Sequence, residues 1–186
     1  MAILKIALMG NDCLKQVAEP VDDPTAPEIV RLIDDMRDTL IDIGGNGLAA
    51  PQVYINKRLV LYRVMERQIP KGADMKPVPW SPLINPVITP LTEEKKPIWE
   101  RCLSLPGLHG MVPRYTRIRL NHQTLAGEQR SIEARGYHAM LLQHECDHLD
   151  GFLYPMRMED MSTLSFNSEL GQTSFLVDRD LSEFAE

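Results

Sequence analysis

Residues 143–148 read Gln143-His144-Glu145-Cys146-Asp147-His148, which has the pattern H-E-x-x-H. On an α-helix, positions i and i+4 lie about 40° apart around the axis, so His144 and His148 would project together as two imidazole ligands of a metal. Glu145 would lie about 100° from His144, within reach of a water molecule on that metal. Because so short a pattern also arises by chance, an ordinary amphipathic helix with two histidines is the alternative.

The composition of the chain narrows the class of protein. The chain has 186 residues, 44% of them hydrophobic and 25% charged, as in an ordinary globular domain. Its net charge of −6 argues against a stable nucleic-acid binder, which would normally carry a basic patch. The three cysteines are too few, and odd in number, for a secreted disulfide framework, and they indicate a reducing compartment.

The distribution of apolar residues predicts a soluble chain. The first residues lack the basic segment and long apolar core of a signal peptide. No apolar run approaches the roughly 20 residues of a membrane span. We therefore expect a cytoplasmic protein without membrane contact, a single domain over residues 1–186, and a mobile tail over residues 172–186.

Hydrophobic periodicity predicts a mixed fold. Apolar residues recur at three- and four-residue steps from Pro27 to Ile43, which indicates an amphipathic helix with Thr25 as its N-cap. A second helix is expected from Tyr137 to Leu149. Short apolar segments predict strands over 53–64, 83–88, 115–122 and 129–135, the last two forming a hairpin. The expected fold is α+β, with antiparallel sheets packed around a central helix that carries the H-E-x-x-H pattern.

Two histidines leave a catalytic metal site incomplete, since such sites usually have three protein ligands and a position for water. Downstream, Tyr154 stands where the metzincin pattern has its third histidine, and Glu169 is a carboxylate of the gluzincin kind. Upstream, Cys102 is a third candidate. Spacing alone leaves the choice among these residues open.

Three stretches of the chain resemble, in order, the signature motifs of the peptide deformylase family. They are Gly45–Gln52 (GNGLAAPQ), Glu100–Ser104 (ERCLS) and Gln143–His148 (QHECDH). The resemblance implies a hydrolase that removes the N-formyl group from the N-terminal formyl-methionine of newly made polypeptides and releases formate. We expect such a protein to be a monomer that acts on nascent peptides, with transient ribosome contact.

The resemblance also implies the composition of the active site. Cys102, His144 and His148 would bind one divalent metal, Fe²⁺ in the cell, with Zn²⁺, Ni²⁺ or Co²⁺ able to substitute. Metal-bound water would be the nucleophile and Glu145 the general acid and base. The side-chain amide of Gln52 and the backbone N–H of Leu103 would hold the developing oxyanion.

Further residues are expected to bind substrate or support the site. The extended peptide would pair along Gly45, Asn46 and Gly47. The methionine side chain would enter an apolar pocket, whose predicted residues are Ile98, Tyr137, Met140 and Leu141. Support from outside the ligand set would come from Glu100, through a hydrogen bond near Gln52, and from Asp147, with Arg114 as its charge partner.

The main departure from the family pattern is Arg101, which stands where that pattern has glycine. Arg101 either points to solvent, narrows the substrate cleft, or favours an acidic residue in the substrate. If it closes the cleft, the chain is a catalytically impaired deformylase-like protein that binds peptides. The other alternative is a different H-E-x-x-H metallopeptidase, for which Cys102 would not be a ligand.

Overall fold

The structure is a computed structural model that describes residues 2–170. The described part contains two α-helices, α1 (Pro27–Ile43) and α2 (Gly136–Leu149), together with several short 3-10 turns. The strands are β1 (Gly47–Ala49), β2 (Leu59–Val64), β3 (Val78–Pro90), β4 (Lys95–Arg101), β5 (Leu108–Tyr115), β6 (Arg117–Gln123), β7 (Gln129–Arg135) and β8 (Ser165–Phe166). The expected tail over 172–186 lies outside the described residues.

The strands form two antiparallel sheets, which confirms the α+β prediction. One sheet has the order β1-β2-β3-β6-β7, and the other has the order β4-β5-β8. The predicted hairpin is the β6–β7 pair, in register from Arg117 opposite Arg135 to Gln123 opposite Gln129. The register of β3 against β6 shifts between Ile84 and Val87, around Pro86, because proline has no N–H to donate to the ladder.

Strand β2 is covered on both faces. Leu59 and Leu61 belong to the hydrophobic cluster of α1, whereas Val60 and Tyr62 belong to a cluster that includes Leu142 of α2. This alternation follows from the two-residue period of a strand. With a helix on each side, β2 reads as an almost continuous apolar run instead of the alternating pattern of a half-exposed strand.

Two local predictions are wrong. Residues predicted to begin a strand at Val53 instead end a 3-10 turn, Ala50–Val53, and Tyr54 follows with φ of 65°. Pro51 explains the turn, since its fixed φ suits a helical first turn and it cannot donate to a ladder. The N-cap of α1 is Ala26 rather than Thr25, whose hydroxyl donates to Asp23.

Helix α2 lies in the interior. Every residue from Gly136 to Leu149 except His138 is buried, including the polar side chains of Gln143, Glu145 and Asp147. Buried polar groups are costly unless they have partners. The polar side of α2 must therefore be matched by polar groups on neighbouring elements. Among residues 2–170, no helix is long and apolar enough to cross a membrane.

We predict that Gly151→Ala destabilises the protein more than Gly127→Ala. The two glycines have almost the same backbone conformation, with φ of +78° and +79°. A Cβ at position 151 would lie 2.7 Å from the backbone oxygen of Lys15, whereas a Cβ at position 127 would meet no atom within 4 Å. Gly127→Ala should cost about 1–2 kcal/mol from the left-handed backbone alone. Gly151→Ala should cost about 1–3 kcal/mol more from overpacking.

Urea unfolding of both variants measures the two losses. Equal losses of unfolding free energy would show that the contact between residues 15 and 151 does not constrain the turn that follows α2.

Candidate active site and metal centre

Three buried donor side chains converge at the middle of α2. His144 and His148 lie one turn apart on the helix, and Cys102 reaches them from the turn after β4. The Cys102 Sγ atom is 3.3 Å from His148 Nε2. The ligand atoms of all three residues lie within 4.8 Å of one another, the one such cluster of His, Cys, Asp and Glu in the described part of the chain.

The other two candidates for a third ligand are placed differently. Glu169 lies in an exposed turn, where its carboxylate accepts a hydrogen bond from Ser168. The Tyr154 ring stacks against His144, with ring centroids 6.4 Å apart. The structure thus brings Cys102, rather than Glu169, to the histidine pair.

The chemistry of this cluster suits a soft divalent metal. One thiolate and two imidazoles are the donors that zinc and iron accept, and three ligands leave a position open. Burial alone would raise the pKa of the Cys102 thiol, but the charge of His148 and hydrogen bonds from His144 and His148 lower it well below its usual value. A buried thiolate requires a nearby positive charge, and a metal ion supplies one.

A buried ion network orients His144. Its Nδ1 lies 2.7 Å from Glu100 Oε2, and Arg114 donates to both Glu100 oxygens, at 2.6 and 3.0 Å. Burial would raise the pKa of Glu100, but the charge of Arg114 and the hydrogen bonds from His144 and Arg114 lower it to about 2. Since an ionised carboxylate can only accept, Nδ1 carries the proton, and Nε2 is free to act as the ligand atom.

The same network fixes the helix itself. Arg114 Nη1 donates to Asp147 Oδ2 at 2.6 Å, and Arg157 Nη2 donates to Asp147 Oδ1 at 2.8 Å. Arg114 therefore joins β5 to β4 through Glu100 and to α2 through Asp147. The predicted pairing of Asp147 with Arg114 is present in the structure. The sequence predicts a hydrogen bond from Glu100 near Gln52, but both Glu100 oxygens instead accept from Arg114, and Oε2 also accepts from His144.

Glu145 lies against the β1 backbone. Its side chain is buried, and a Cβ at Gly47 would lie 2.5 Å from the Glu145 Cδ atom, so that no larger residue fits beside the carboxylate. Burial raises the pKa of Glu145, against the opposing charges of His144 and His148. The Oε2 atom is buried and has no hydrogen-bond partner within residues 2–170. A carboxylate in this state can accept a proton from a bound molecule.

Gln52 is held with its amide group toward the cysteine. Its Oε1 accepts from the Ala49 N–H at 2.9 Å. Its Nε2 lies 3.4 Å from Cys102 Sγ and 3.2 Å from Ser104 Oγ, and it donates to both. The 3-10 turn Ala50–Val53, found where the predicted strand was expected to begin, thus positions the Gln52 side chain. Leu103, the next residue after Cys102, also lies in the wall of the adjoining cavity.

A cavity of about 470 Å³ opens beside the cluster. Most of the residues that the sequence singles out for substrate binding or for support of the site line it: Gly45, Asn46, Gly47, Glu100, Arg101, Tyr137, Met140 and Leu141. Ile98 does not line it, and this buried side chain packs in a cluster with Tyr137 and Met140. Gln68 and Asn167 line the cavity but were not predicted, and no periodicity or motif in their segments points to them.

The amino-acid sequence is similar to known proteins along most of its length. Residues 3–163 match the family model for polypeptide deformylase. Peptide deformylase 1 of Nitrosomonas europaea is 44% identical over 173 residues, which cover 92% of this chain and 97% of the relative. Peptide deformylase 1 of Bordetella pertussis is 46% identical over 169 residues, or 91% of this chain and 93% of the relative.

Solved structures show the same similarity. A Met-Ala-Ser-bound class I type b peptide deformylase from Acinetobacter baumannii superposes with a TM-score of 0.75 at 33% identity, covering 84% of this chain and 100% of that chain. A peptide deformylase from Ehrlichia chaffeensis in complex with actinonin has a TM-score of 0.78 at 32% identity, covering 88% of this chain and 92% of that chain. With the family model matched over residues 3–163 and relatives aligned along nearly their whole length, the chain belongs to the polypeptide deformylase family.

Proposed function

We propose that this protein is a metal-dependent peptide deformylase, which hydrolyses the formyl amide of N-terminal formyl-methionine and releases formate. The observation that carries the proposal is the buried cluster of Cys102, His144 and His148, with the Glu145 carboxylate beside it in the wall of an open cavity. The reaction consumes one water: the C–N bond of the formyl amide breaks, and the methionine nitrogen leaves as an amine.

Each polar residue of the site has a proposed task. A divalent metal held by Cys102, His144 and His148 would lower the pKa of a water ligand and polarise the formyl carbonyl. Glu145 takes a proton from the attacking water and returns it to the leaving nitrogen. The unpartnered Oε2 atom supports this role, because no other described residue competes for the proton. Following the family resemblance, we propose Fe²⁺ as the native metal, with Zn²⁺, Ni²⁺ or Co²⁺ as substitutes.

The oxyanion that develops on the formyl group is held by this chain's own donors. We assign this role to the Gln52 amide and the Leu103 backbone N–H. The hydrogen bond from Ala49 supports the assignment, since it keeps the Gln52 nitrogen turned toward Cys102. A donor that is already oriented costs no reorganisation when charge develops.

The walls of the cavity suit an extended peptide. Its volume falls within the range of about 300–1,000 Å³ that ligand pockets occupy. The Gly45–Gly47 segment offers backbone groups for pairing along one side. Tyr137, Met140 and Leu141 offer an apolar pocket for the methionine side chain. Ile98 supports this pocket from behind through its packing on Tyr137 and Met140.

We propose one domain over residues 1–186, monomeric and cytoplasmic, which acts on nascent chains with transient ribosome contact and without stable nucleic-acid binding. The family match over residues 3–163 supports a single domain. Free Cys13, Cys102 and Cys146 support a reducing compartment. The impaired, peptide-binding alternative requires Arg101 to close the cleft. The cavity is open beside exposed Arg101, which gives no support to that alternative.

We predict that Glu145→Gln lowers kcat for formate release from formyl-Met-Ala-Ser by about 10²–10⁴-fold, because glutamine cannot carry the proton. The assay uses protein loaded anaerobically with Fe²⁺ or Ni²⁺. Glu133→Gln is the matched control, since it makes the same chemical change in an exposed carboxylate on β7 and should leave kcat unchanged.

Unformylated Met-Ala-Ser distinguishes deformylation from general peptidase activity. The wild-type protein should leave this peptide intact while it releases formate from the formylated form. Cleavage of the unformylated peptide, or a Glu145→Gln variant as active as wild type, would contradict the proposed function.

We predict that Arg114→Met costs about 3–5 kcal/mol of unfolding free energy, because Glu100 and Asp147 remain buried without their partner. The affinity for Zn²⁺ should also fall by about 10–100-fold, since His144 loses its orientation. Arg119→Met is the control: it breaks an exposed pair with Glu133, which is worth no more than about 1 kcal/mol.

Chelator competition for Zn²⁺ and urea unfolding measure these two effects. If Arg114→Met loses stability but binds Zn²⁺ as tightly as the Arg119→Met control, the network does not position the metal ligands.

A further inference from the structure

Arg101 occupies a distinctive place at the end of β4. It lies between Glu100, whose buried carboxylate faces Arg114, and Cys102 of the metal cluster. Successive side chains of a strand point to opposite faces, so Arg101 projects away from the buried network that holds Glu100. Its side chain is exposed, and the residue lines the cavity.

The charge of Arg101 has no counterpart in the described structure. Among the residues that line the cavity, Arg101 is the one Lys or Arg. Its guanidinium forms no hydrogen bond or ion pair with another residue in 2–170. Two other exposed arginines, Arg119 and Arg130, each pair with a neighbouring carboxylate at 2.6 Å. What sets Arg101 apart is that it is unpaired in this range and lies in the cavity wall. The chain is acidic overall, with a net charge of −6, and yet residues 2–170 supply no partner for this cation.

The position of Arg101 relates it to the bound peptide. Arg101 and Tyr137 line the same cavity, which places Arg101 in the wall that also holds the proposed methionine pocket. An extended peptide advances about 3.3 Å per residue, so the one or two residues after formyl-methionine lie within about 7 Å of the formyl-methionine residue. That separation is shorter than the Debye length of about 8 Å at physiological ionic strength. A carboxylate on these residues therefore lies within the range of a cation on the cavity wall.

We infer that Arg101 is a specificity-determining residue, which selects substrates that carry a carboxylate within the first two residues after formyl-methionine. This inference rests on the proposed deformylase activity. The carboxylate is either an Asp or Glu side chain or the free C-terminus of a very short peptide. Arginine suits both, because its planar fork can bind the two carboxylate oxygens together.

The test compares kcat/KM for matched amidated peptides. The pairs are formyl-Met-Asp-Ser-amide against formyl-Met-Asn-Ser-amide, and formyl-Met-Ala-Asp-amide against formyl-Met-Ala-Asn-amide. In at least one pair, the wild-type protein should favour the aspartate peptide by about two- to fivefold at low salt, as expected for an exposed ion pair. The ratio should fall to about one in Arg101→Gln and below one in Arg101→Glu, where the charge is reversed.

Arg130→Gln is the matched control, because it removes the same charge at the β6–β7 hairpin and should keep the wild-type ratio. Comparison of formyl-Met-Ala-Ser with its amide identifies the source of the carboxylate. A preference confined to that pair, and lost in Arg101→Gln, would support carboxylate recognition with the chain end as the ligand.

Two results would overturn the inference, and they are distinguishable. If the wild-type protein releases formate with the same aspartate-to-asparagine and acid-to-amide ratios as Arg101→Gln, Arg101 does not read the substrate while the proposed function stands. If the wild-type protein releases no formate from any of the peptides, the proposed function fails, and the inference fails with it.

Discussion

The buried positive charge of Arg114 is the constraint on which the rest of the site depends. The guanidinium lies on β5 and contacts Glu100 on β4 and Asp147 on α2. Taking three charged groups out of water is costly, and only close geometry with several hydrogen bonds offsets that cost. Two strands and a helix are consequently fixed relative to one another. Through Glu100 the same network orients the His144 ring, and so sets the direction of Nε2, the atom that we propose as a metal ligand.

The fold supplies what such a network requires. Helix α2 is buried and contacts strands of both sheets, so its polar residues are removed from water and must find partners in the protein. One side of the helix packs on β2 through apolar residues such as Leu142. His144 and Glu145 lie in the wall of the cavity, together with Gly47. The network thus holds His144 in a fixed orientation, while the cavity leaves space beside it for a bound molecule.

Sequence reasoning succeeds where the geometry is local. The i, i+4 spacing predicts that His144 and His148 project together, and the hairpin follows from alternating residues around a Gly-containing turn. Sequence reasoning fails where a contact depends on how separate elements pack together. Spacing left Cys102 among three candidate ligands, and the family resemblance singled it out. The Glu100–Arg114 bond depends on the pairing of β4 with β5, and the burial of Ile98 depends on which face of β4 meets α2. Gln68 and Asn167 reach the cavity from segments without any periodic pattern.

The ligand set can be measured directly by X-ray absorption spectroscopy of Zn²⁺-loaded protein. We expect one metal per chain with one sulfur ligand, at a Zn–S distance of about 2.3 Å, and two imidazole nitrogens at about 2.0–2.1 Å. Cys102→Ser should lose the sulfur scattering, while Cys146→Ser, which changes a buried cysteine outside the cluster, should keep it. A wild-type zinc site without sulfur, or one whose sulfur survives Cys102→Ser, would contradict the account.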